Sequence, residues 1–488
     1  MAEKYAHLER RIASEQQTFA RPLRSLVTRE AVLCDESRTV SEAARLMRAQ
    51  GVGSLVIVDG AGKPVGVVTS SDLMSAIAES GEHGPLTDWM TRDPFALPAH
   101  ALAYEAALAM IARRIRHVLV LDEGRVLGVV SERDLFSLQR LGLGEISMEI
   151  RLAQDVAVVA GIASEVRKLS LRLIEQGVAA EQLTSLVSVL NDRLTQRVIE
   201  LVREGRDLER ISWCWLAFGS EGRLEQTFTS DQDNGLVFTA HDAAASDAVR
   251  ERLLPFARAV NEALDRCGFA LCKGNVMASN PGLCLSLDEW RAKMGGWIEV
   301  SNPQALLEAV ICFDFRPIYG DFTLADRLRA WVHELARRHP VFLRHMATNA
   351  LKAQPALGRL GGFVTDDVPG AKATIDLKQH GARMFIDAAR VYALARAIPQ
   401  TNTADRLRAA CAALGMKQAD IDALVEAFFV VQAIRLRNQA QAQAQGRDEA
   451  LHNRVDPTRL GRIESAMLKE AMRIGRELQE RLSLDYQI

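Results

Sequence analysis

Two aspartates separated by one residue, Asp231 and Asp233, follow a Gly219-Ser220 pair after ten intervening residues in ISWCWLAFGSEGRLEQTFTSDQDNGLVFT (211–239). The apolar run before the glycine reads as a buried strand, and NGLVF after the second aspartate reads as another. The expected order is strand, small-residue turn, short helix, and a strand carrying the acidic pair. Phosphoryl chemistry gives each part a purpose. A triphosphate needs backbone N–H groups brought close, which Gly219 permits, and Ser220 adds a hydroxyl donor. Carboxylates two apart on a strand project to one side. Asp231 and Asp233 are therefore candidate ligands of Mg²⁺, with paired ions in such sites about 3.5–4 Å apart. A third carboxylate is expected from a neighbouring strand, and Asp314 in AVICFDFRPIYGD is the best candidate. A lone D-x-D is most often an exposed turn; the whole G-S-x10-D-x-D between two strand-like runs is the more specific pattern.

The elements around this segment divide the chain. Residues 41–59, SEAARLMRAQGVGSLVIVD, recur as YEAALAMIARRIRHVLVLD at 104–122. PVGVVTSSDL (64–73) recurs as VLGVVSERDL (126–135). Each copy predicts a helix, a β-branched strand, a turn, a second strand and a second helix, and two such units are expected to pair about a pseudo-twofold axis. Thr69 and Ser131 end strands, and Asp72 and Asp134 lie three residues later. A capping box explains that spacing by itself. From about 145 to 205 the apolar spacing is helical, broken at Gly177, and reads as a connector that either transmits a signal or forms a dimer interface. From about 322 onward the pattern is again helical, interrupted at RLGGFVTDDVPGAKA (359–373). Lys378, Gln379, His380 and Arg383 precede an amphipathic helix there. Lys378 is kept as a candidate substrate contact, a solvated helix lysine being the plainer reading.

The repeated G-h-h-[ST]-x-x-D after a β-branched strand resembles the CBS-domain signature in both copies. The resemblance implies an adenosine nucleotide as ligand, with hydroxyls of Thr69 and Ser131 on phosphate and Asp72 and Asp134 on the ribose. It also implies a homodimer. The GSEGRLEQTFTSDQD segment resembles the polymerase-beta-like nucleotidyltransferases, and is most similar to the branch containing PII-protein uridylyltransferase and glutamine-synthetase adenylyltransferase. That resemblance places Gly219 and Ser220, with Arg223 and Glu225 as helpers, on the phosphate turn. It places Asp231 and Asp233 on the metal pair and Asp314 on the third acid. GFALCKGNVMASNPGLCLSLDEW (268–290) and FDFRPIYGD are similar to a family of inferred nucleotidyltransferases that follow CBS pairs. In that family a helical substrate-binding domain follows, and a proline stands where Lys273 is here; Lys273 is either a phosphate-binding charge or a neutral change on a turn. Many members carry a cyclic-nucleotide sensor before the CBS pair, and none is expected in this chain.

Multidomain α/β and α architecture is thus expected: an N-terminal helix (1–20), a CBS pair (21–140), a helical connector (145–205), an α/β nucleotidyltransferase core (206–320) and a helical substrate-binding bundle (321–488). The formal net charge of −2 offers no global field for nucleic acid or an anionic membrane. Seven scattered cysteines without a C-x-x-C pair fit a reducing compartment, and neither a signal peptide nor a membrane span is legible. A cytoplasmic chain is expected. The leading reading is Mg²⁺-dependent transfer of AMP or UMP, from ATP or UTP, to an acceptor hydroxyl on a protein. The alternative is a non-catalytic sensor of adenosine nucleotides acting as a scaffold.

Overall fold

The structure is a computed structural model describing residues 21–488 apart from 28, 61, 81–83, 114, 116, 132–142, 176, 228–230, 301–309, 359–360 and 447–450. The expected N-terminal helix (1–20) and Asp134 lie outside the described residues. The chain forms two compact units, Met1–Ser147 and Met148–Ile488. Among the described residues no helix is long and apolar enough to cross a membrane.

The first unit holds the repeat. Strand β1 (Leu33–Asp35), helix α1 (Val40–Gln50), β2 (Ser54–Val58) and β3 (Pro64–Thr69), followed by α2 (Ser70–Ser80) and the short β4 (Thr91–Arg92), make one copy; β5 (Ala96–Pro98), α3 (Ala103–Arg113), β6 (His117–Asp122) and β7 (Arg125–Ser131) make the other. The sheets run β1-β2-β3-β4 and β5-β6-β7, parallel between the first two strands of each and antiparallel thereafter. Helix α1 starts at a capping box between Thr39 and Glu42 and ends at Gly51 with φ 60°, a left-handed conformation that glycine adopts without strain. Even the ladder irregularity repeats, between Ile57 and Val58 in one copy and between Val120 and Leu121 in the other.

The structural repeat is longer than the sequence pattern suggests, and its two lead-in segments are exchanged. Pro22 bridges Leu102 of the second copy, while Pro85 bridges Thr39 of the first. Leu23 and Leu26 are buried in the core of the second copy, with Val118, Val120 and Val130. Leu86 and Met90 are buried in the core of the first, with Leu55, Ile57 and Val68. Glycine makes each crossing possible: a Cβ at Gly128 would lie 2.4 Å from Val27 Cγ1, and one at Gly66 would lie 2.5 Å from Met90 Sδ. Val56, Val67 and Leu119 join the two copies in a third small core.

In the second unit, β8 (Trp213–Ala217) is apolar and wholly buried, as its sequence demands. It is followed by a single helical turn, α4 (Gly219–Gly222), then β9 (Asn234–Phe238), β10 (Cys284–Ser286) and β11 (Arg316–Gly320), in sheet order β10-β9-β8-β11. Helices α5 (Ala243–Arg266) and α6 (Leu287–Val300) connect these strands. The connector helices, Val156–Glu175 and Ala180–Arg203, are built into this unit. Gln196 donates to Ile318 O (2.9 Å), and Arg316 makes a two-armed pair with Asp192 (2.8 Å each).

Helices α7 (Phe322–Arg338), α8 (Pro340–Ala350), α9 (Arg383–Arg396), α10 (Thr403–Ala413), α11 (Gln418–Ala444) and α12 (Arg462–Tyr486) form the C-terminal bundle, with a small sheet of β12 (Asp366–Val368), β13 (Ala371–Asp376) and β14 (Arg454–Val455). One hydrophobic core runs from Cys214, Leu216 and Phe218 in the sheet to Phe385, Phe428 and Leu468 in the bundle.

The exchanged segment gives a direct test. Gly128→Ala should destabilise the first unit by about 1–3 kcal/mol through overpacking. Val27→Ala added to it should recover part of that loss. Denaturant melts of the four-member cycle check this, and strictly additive effects would show that Val27 does not lie over Gly128 in solution.

Candidate functional site

The acid pair is held from behind by amides. Asp231 and Asp233 sit in the extended segment leading into β9, just before the strand on which they were expected. Alternation still governs them. Gln232 is buried and donates to Asn261 O (3.0 Å) and Phe269 O (2.8 Å), while both aspartates are half-buried on the other side. Asn261 donates to Gln232 Oε1 (2.7 Å) and Asn234 Oδ1 (3.0 Å), and Asn234 Oδ1 also accepts from Ala278 N (2.8 Å). These buried amides satisfy one another and fix the segment's register. Sequence reasoning missed them, although Gln232 and Asn234 alternate with the acids in D-Q-D-N.

The glycine turn closes over the same acids. Phe218 N donates to Asp233 O at 2.8 Å, and Gly219 has φ +55°. A Cβ at Gly219 would lie 2.9 Å from Asp233 Oδ2, so glycine is required there both by conformation and by the carboxylate. Ser220 is half-buried beside it. Burial raises the Asp233 pKa, and the like charge of Asp231 adds to this. A hydrogen bond from the Cys272 thiol, the Lys378 ammonium and Arg223 pull the other way. Neither aspartate forms an ion pair with a lysine or arginine among the described residues.

Lys378 is brought within electrostatic reach of both acids. Its side chain is exposed but lines a protein-crowded surface; desolvation lowers its pKa, Arg435 lowers it further, and Asp233 and Asp231 oppose the shift. Lys273 is exposed next to Cys272 and forms no ion pair among the described residues. Glu221, one residue past Ser220, is a buried carboxyl whose pKa is pushed up to about 8 by burial and by Asp192, against the pull of Arg316.

Two expected roles require correction. Asp314 is not on a strand, and its carboxylate is engaged by arginines. It occupies a bend two residues before β11 and is 0% exposed. Arg223 Nη1 donates to its Oδ2 (2.6 Å), Arg390 donates from Nε to Oδ1 (3.0 Å) and from Nη2 to Oδ2 (2.6 Å), and Arg406 Nη1 donates to Oδ1 (2.5 Å). Both oxygens are thus committed to guanidinium groups. Burial would raise the Asp314 pKa, but Arg390, Arg406 and Arg223 outweigh it and hold the carboxyl well below its ordinary range. Arg223 is engaged as well: it is 9% exposed and its Nε also pairs with Glu225 at 2.8 Å, so it braces the turn. Glu225 in turn accepts from Thr403 N (2.7 Å) at the start of α10, and Asn402 donates to Arg223 O (3.0 Å). Gly222 completes the fit, since a Cβ there would lie 1.8 Å from Asp314 O.

Without Asp314, the acid set is two carboxylates; no group of three or more His, Cys, Asp or Glu positioned to hold a metal occurs among the described residues. Two hard oxygen donors without a cationic partner still suit Mg²⁺, which is commonly held by one or two carboxylates together with substrate phosphates.

In the first unit, Thr69 ends β3 and Ser131 ends β7, opposite Ser54 and His117 respectively. Thr69 donates from N (2.8 Å) and Oγ1 (2.7 Å) to Asp72 Oδ2, and Asp72 N donates back to Thr69 Oγ1 (3.4 Å). The pair closes the capping box that its spacing implies.

Asp314→Asn should cost about 3–5 kcal/mol at pH 7, because three buried guanidinium groups lose their shared counter-charge. The folded pKa is depressed below the unfolded value of about 3.9, so the wild-type advantage is full above that pH and is lost as pH falls through the folded pKa. Urea melts at pH 7 and in acid should show the gap closing; equal stability at pH 7 would rule out this account of the cluster.

Comparison with known proteins agrees with this architecture. The CBS domain model matches residues 23–79 and 86–140. "Putative nucleotidyltransferase DUF294" matches 164–304, and "Putative nucleotidyltransferase substrate binding domain" matches 340–486. An uncharacterized 17.7 kDa protein of Acidianus ambivalens is 24% identical over 149 residues, 30% of this chain and 91% of that protein. A CBS domain-containing protein of Arabidopsis thaliana is 29% identical over 113 residues, 22% of this chain and 21% of that protein. An inosine-5'-monophosphate dehydrogenase of Korarchaeum cryptofilum is 32% identical over 128 residues, 25% of this chain and 26% of the enzyme. This chain thus spans about a fifth to a quarter of the last two relatives. Among solved structures, a CBS domain protein of Pyrobaculum aerophilum complexed with AMP is 29% identical, with 26% of this chain and 99% of that chain covered and a TM-score of 0.24. In chain order, then, the protein comprises a CBS domain pair, a domain of the DUF294 nucleotidyltransferase family, and the substrate-binding domain that accompanies that family.

Proposed function

We propose that this chain transfers AMP or UMP from ATP or UTP to an acceptor hydroxyl, on a tyrosine or serine side chain of a protein. The observation that carries the reading is the unpaired acid couple Asp231/Asp233 closed over by Gly219, whose missing Cβ leaves room against Asp233 Oδ2. Asp231 and Asp233 hold Mg²⁺, which when bound neutralises phosphate charge and polarises the α-phosphorus. Gly219 and Ser220 take the β- and γ-phosphates. The acceptor oxygen forms a bond to the α-phosphorus, and the bond from that phosphorus to the α–β bridging oxygen breaks. Pyrophosphate leaves with the electron pair, and the acceptor proton passes to solvent. The buried amides behind the acids hold them in place without reorganisation, the condition under which electrostatic stabilisation is effective.

Thr69, Asp72, Ser131 and Asp134 are proposed to take an adenosine nucleotide in the CBS pair, which also serves as the homodimer contact in the cytoplasm. Ligand control of transfer then requires different affinities for two states of the chain. One observation favours a second reading. With Asp314 withdrawn into an arginine cluster, the acid set lacks its expected third member. A chain that senses adenosine nucleotides and turns none over fits that loss.

Two measurements separate these readings. The full chain is incubated with Mg²⁺ and α-labelled ATP or UTP, with cell extract as the acceptor source, beside the Asp231→Asn/Asp233→Asn variant. Pyrophosphate release and label transfer are expected from the wild type and should fall about 10²–10³-fold or more in the variant. Nucleotide binding without Mg²⁺-dependent turnover, identical in both proteins, selects the sensor reading. For the CBS site, calorimetry with AMP should show Asp72→Ala weakening binding tenfold or more, about 1.4 kcal/mol. Unchanged affinity would remove Asp72 from the ligand site.

A further inference from the structure

Among the buried arginines of the second unit, Arg435 stands apart. Arg223, Arg316, Arg390 and Arg406 each pair with a carboxylate at 2.8 Å or less. Arg435 is 8% exposed, yet its hydrogen-bond partners are two neutral amides: Nε donates to Asn453 Oδ1 (2.6 Å) and Nη1 to Gln432 Oε1 (3.2 Å). No ion pair involves it among the described residues. A buried cation without a paired carboxylate is expensive; Asp376 and Glu225 act on it only through space, and an anion from outside the chain would complete its neutralisation.

The backbone brings Lys378 to the same place. Strand β13 delivers the chain into a wide single turn, Lys378–Ala382. Asp376 Oδ1 accepts from Lys378 N (2.9 Å) and Gln379 N (3.0 Å), which fixes the entry to that turn and occupies one oxygen of the acid nearest Arg435 in charge. Leu377 N donates to Asn453 O (3.0 Å), the same asparagine whose side chain holds Arg435. Gly381 lies so close to α11 that a Cβ there would be 2.8 Å from Val431 Cγ1. Arg435 follows Val431 by four residues, on the same helical face. Two cations of the C-terminal bundle are therefore gathered by Asn453 and α11. Lys378 feels the charge of Arg435 and the opposing charges of Asp233, Asp231 and Asp376.

We propose that Lys378 and Arg435 form an anion subsite for the pyrophosphoryl end of a bound nucleoside triphosphate, so that the C-terminal bundle supplies one wall of the cleft whose other wall is the acid pair. The proposal rests on the nucleotidyl-transfer reading and extends it to named residues of the second domain. Divalent cation on the acids and triphosphate between them and the two basic side chains leaves each charge with an opposite neighbour. Lys378, being exposed, receives the ligand; Arg435 stands behind it as a fixed charge.

The test is calorimetric titration of the full chain with pyrophosphate in the presence of Mg²⁺. Wild type should bind, Lys378→Met should bind about tenfold or more weakly, and Lys378→Arg should recover most of the affinity. Lys372→Met, an exposed lysine earlier on β13, should match wild type. The Michaelis constant for the triphosphate should rise in Lys378→Met in parallel. Equal pyrophosphate affinity in wild type and Lys378→Met overturns this subsite while leaving transfer by the wild type intact. A wild-type chain that binds neither pyrophosphate nor triphosphate overturns both the subsite and the transferase reading.

Discussion

A carboxylate with no exposure to water is held in a protein only if its charge is answered on every side, and Asp314 meets that condition with three guanidinium groups. They come from three places: Arg223 from the end of the glycine turn, Arg390 from α9 and Arg406 from α10. Excess positive charge is absorbed by Glu225 on Arg223 and by Asp387 on Arg390 (2.6 Å). The glycine turn and the bundle are thus tied to one point, with Glu225 also seated on the first backbone N–H of α10. Helix α9 begins at Arg383, directly after the wide turn that carries Lys378. Whatever places Arg390 on Asp314 therefore also limits where Lys378 can stand.

The role of Asp314 in this cluster could not be read from the sequence. In an apolar run, a single aspartate looks the same in sequence whether it faces a metal or a set of arginines. Its partners Arg390 and Arg406 lie 76 and 92 residues further along the chain, so no local pattern reveals them. The acid pair was legible because its information is local: D-Q-D-N alternates, and the glycine turn precedes it at fixed spacing. Its small displacement, from the strand to the segment before it, left the alternation intact. Lys378 was legible only as a basic residue near a helix start, since its placement depends on Asn453 and α11. The two helices read as a connector show the same limit. Their periodicity announced that one face is buried, but it said nothing about which surface covers it, and here the two helices pack on each other, on α5 and on α11, with β11 meeting the second of them.

The second unit also shows a division between what is paired and what is left open. Behind the acids, Gln232, Asn234 and Asn261 satisfy one another, and around Asp314 charge is balanced by close ion pairs. Apart from these settled regions, the carboxylates of Asp231 and Asp233 and the cations of Lys378 and Arg435 keep no ion-paired partner of short range among the described residues. Rigid surroundings with a few uncommitted charges are what a site for a highly charged ligand requires, because the ligand then meets groups already in place.

The exchanged lead-in segments of the first unit bear on how the chain is made. Leu86 and Met90 complete the core of the first copy almost as soon as its helix and strands exist. Leu23 and Leu26 have no such neighbour at hand; their cavity is closed by Val118, Val120 and Val130. During synthesis from the N-terminus, the residues around Leu23 must therefore wait, apolar and unplaced, while about a hundred more are added. The earliest part of the repeat to leave the ribosome is the last to be seated, and that interval is when a second nascent chain nearby has the opportunity to take its place.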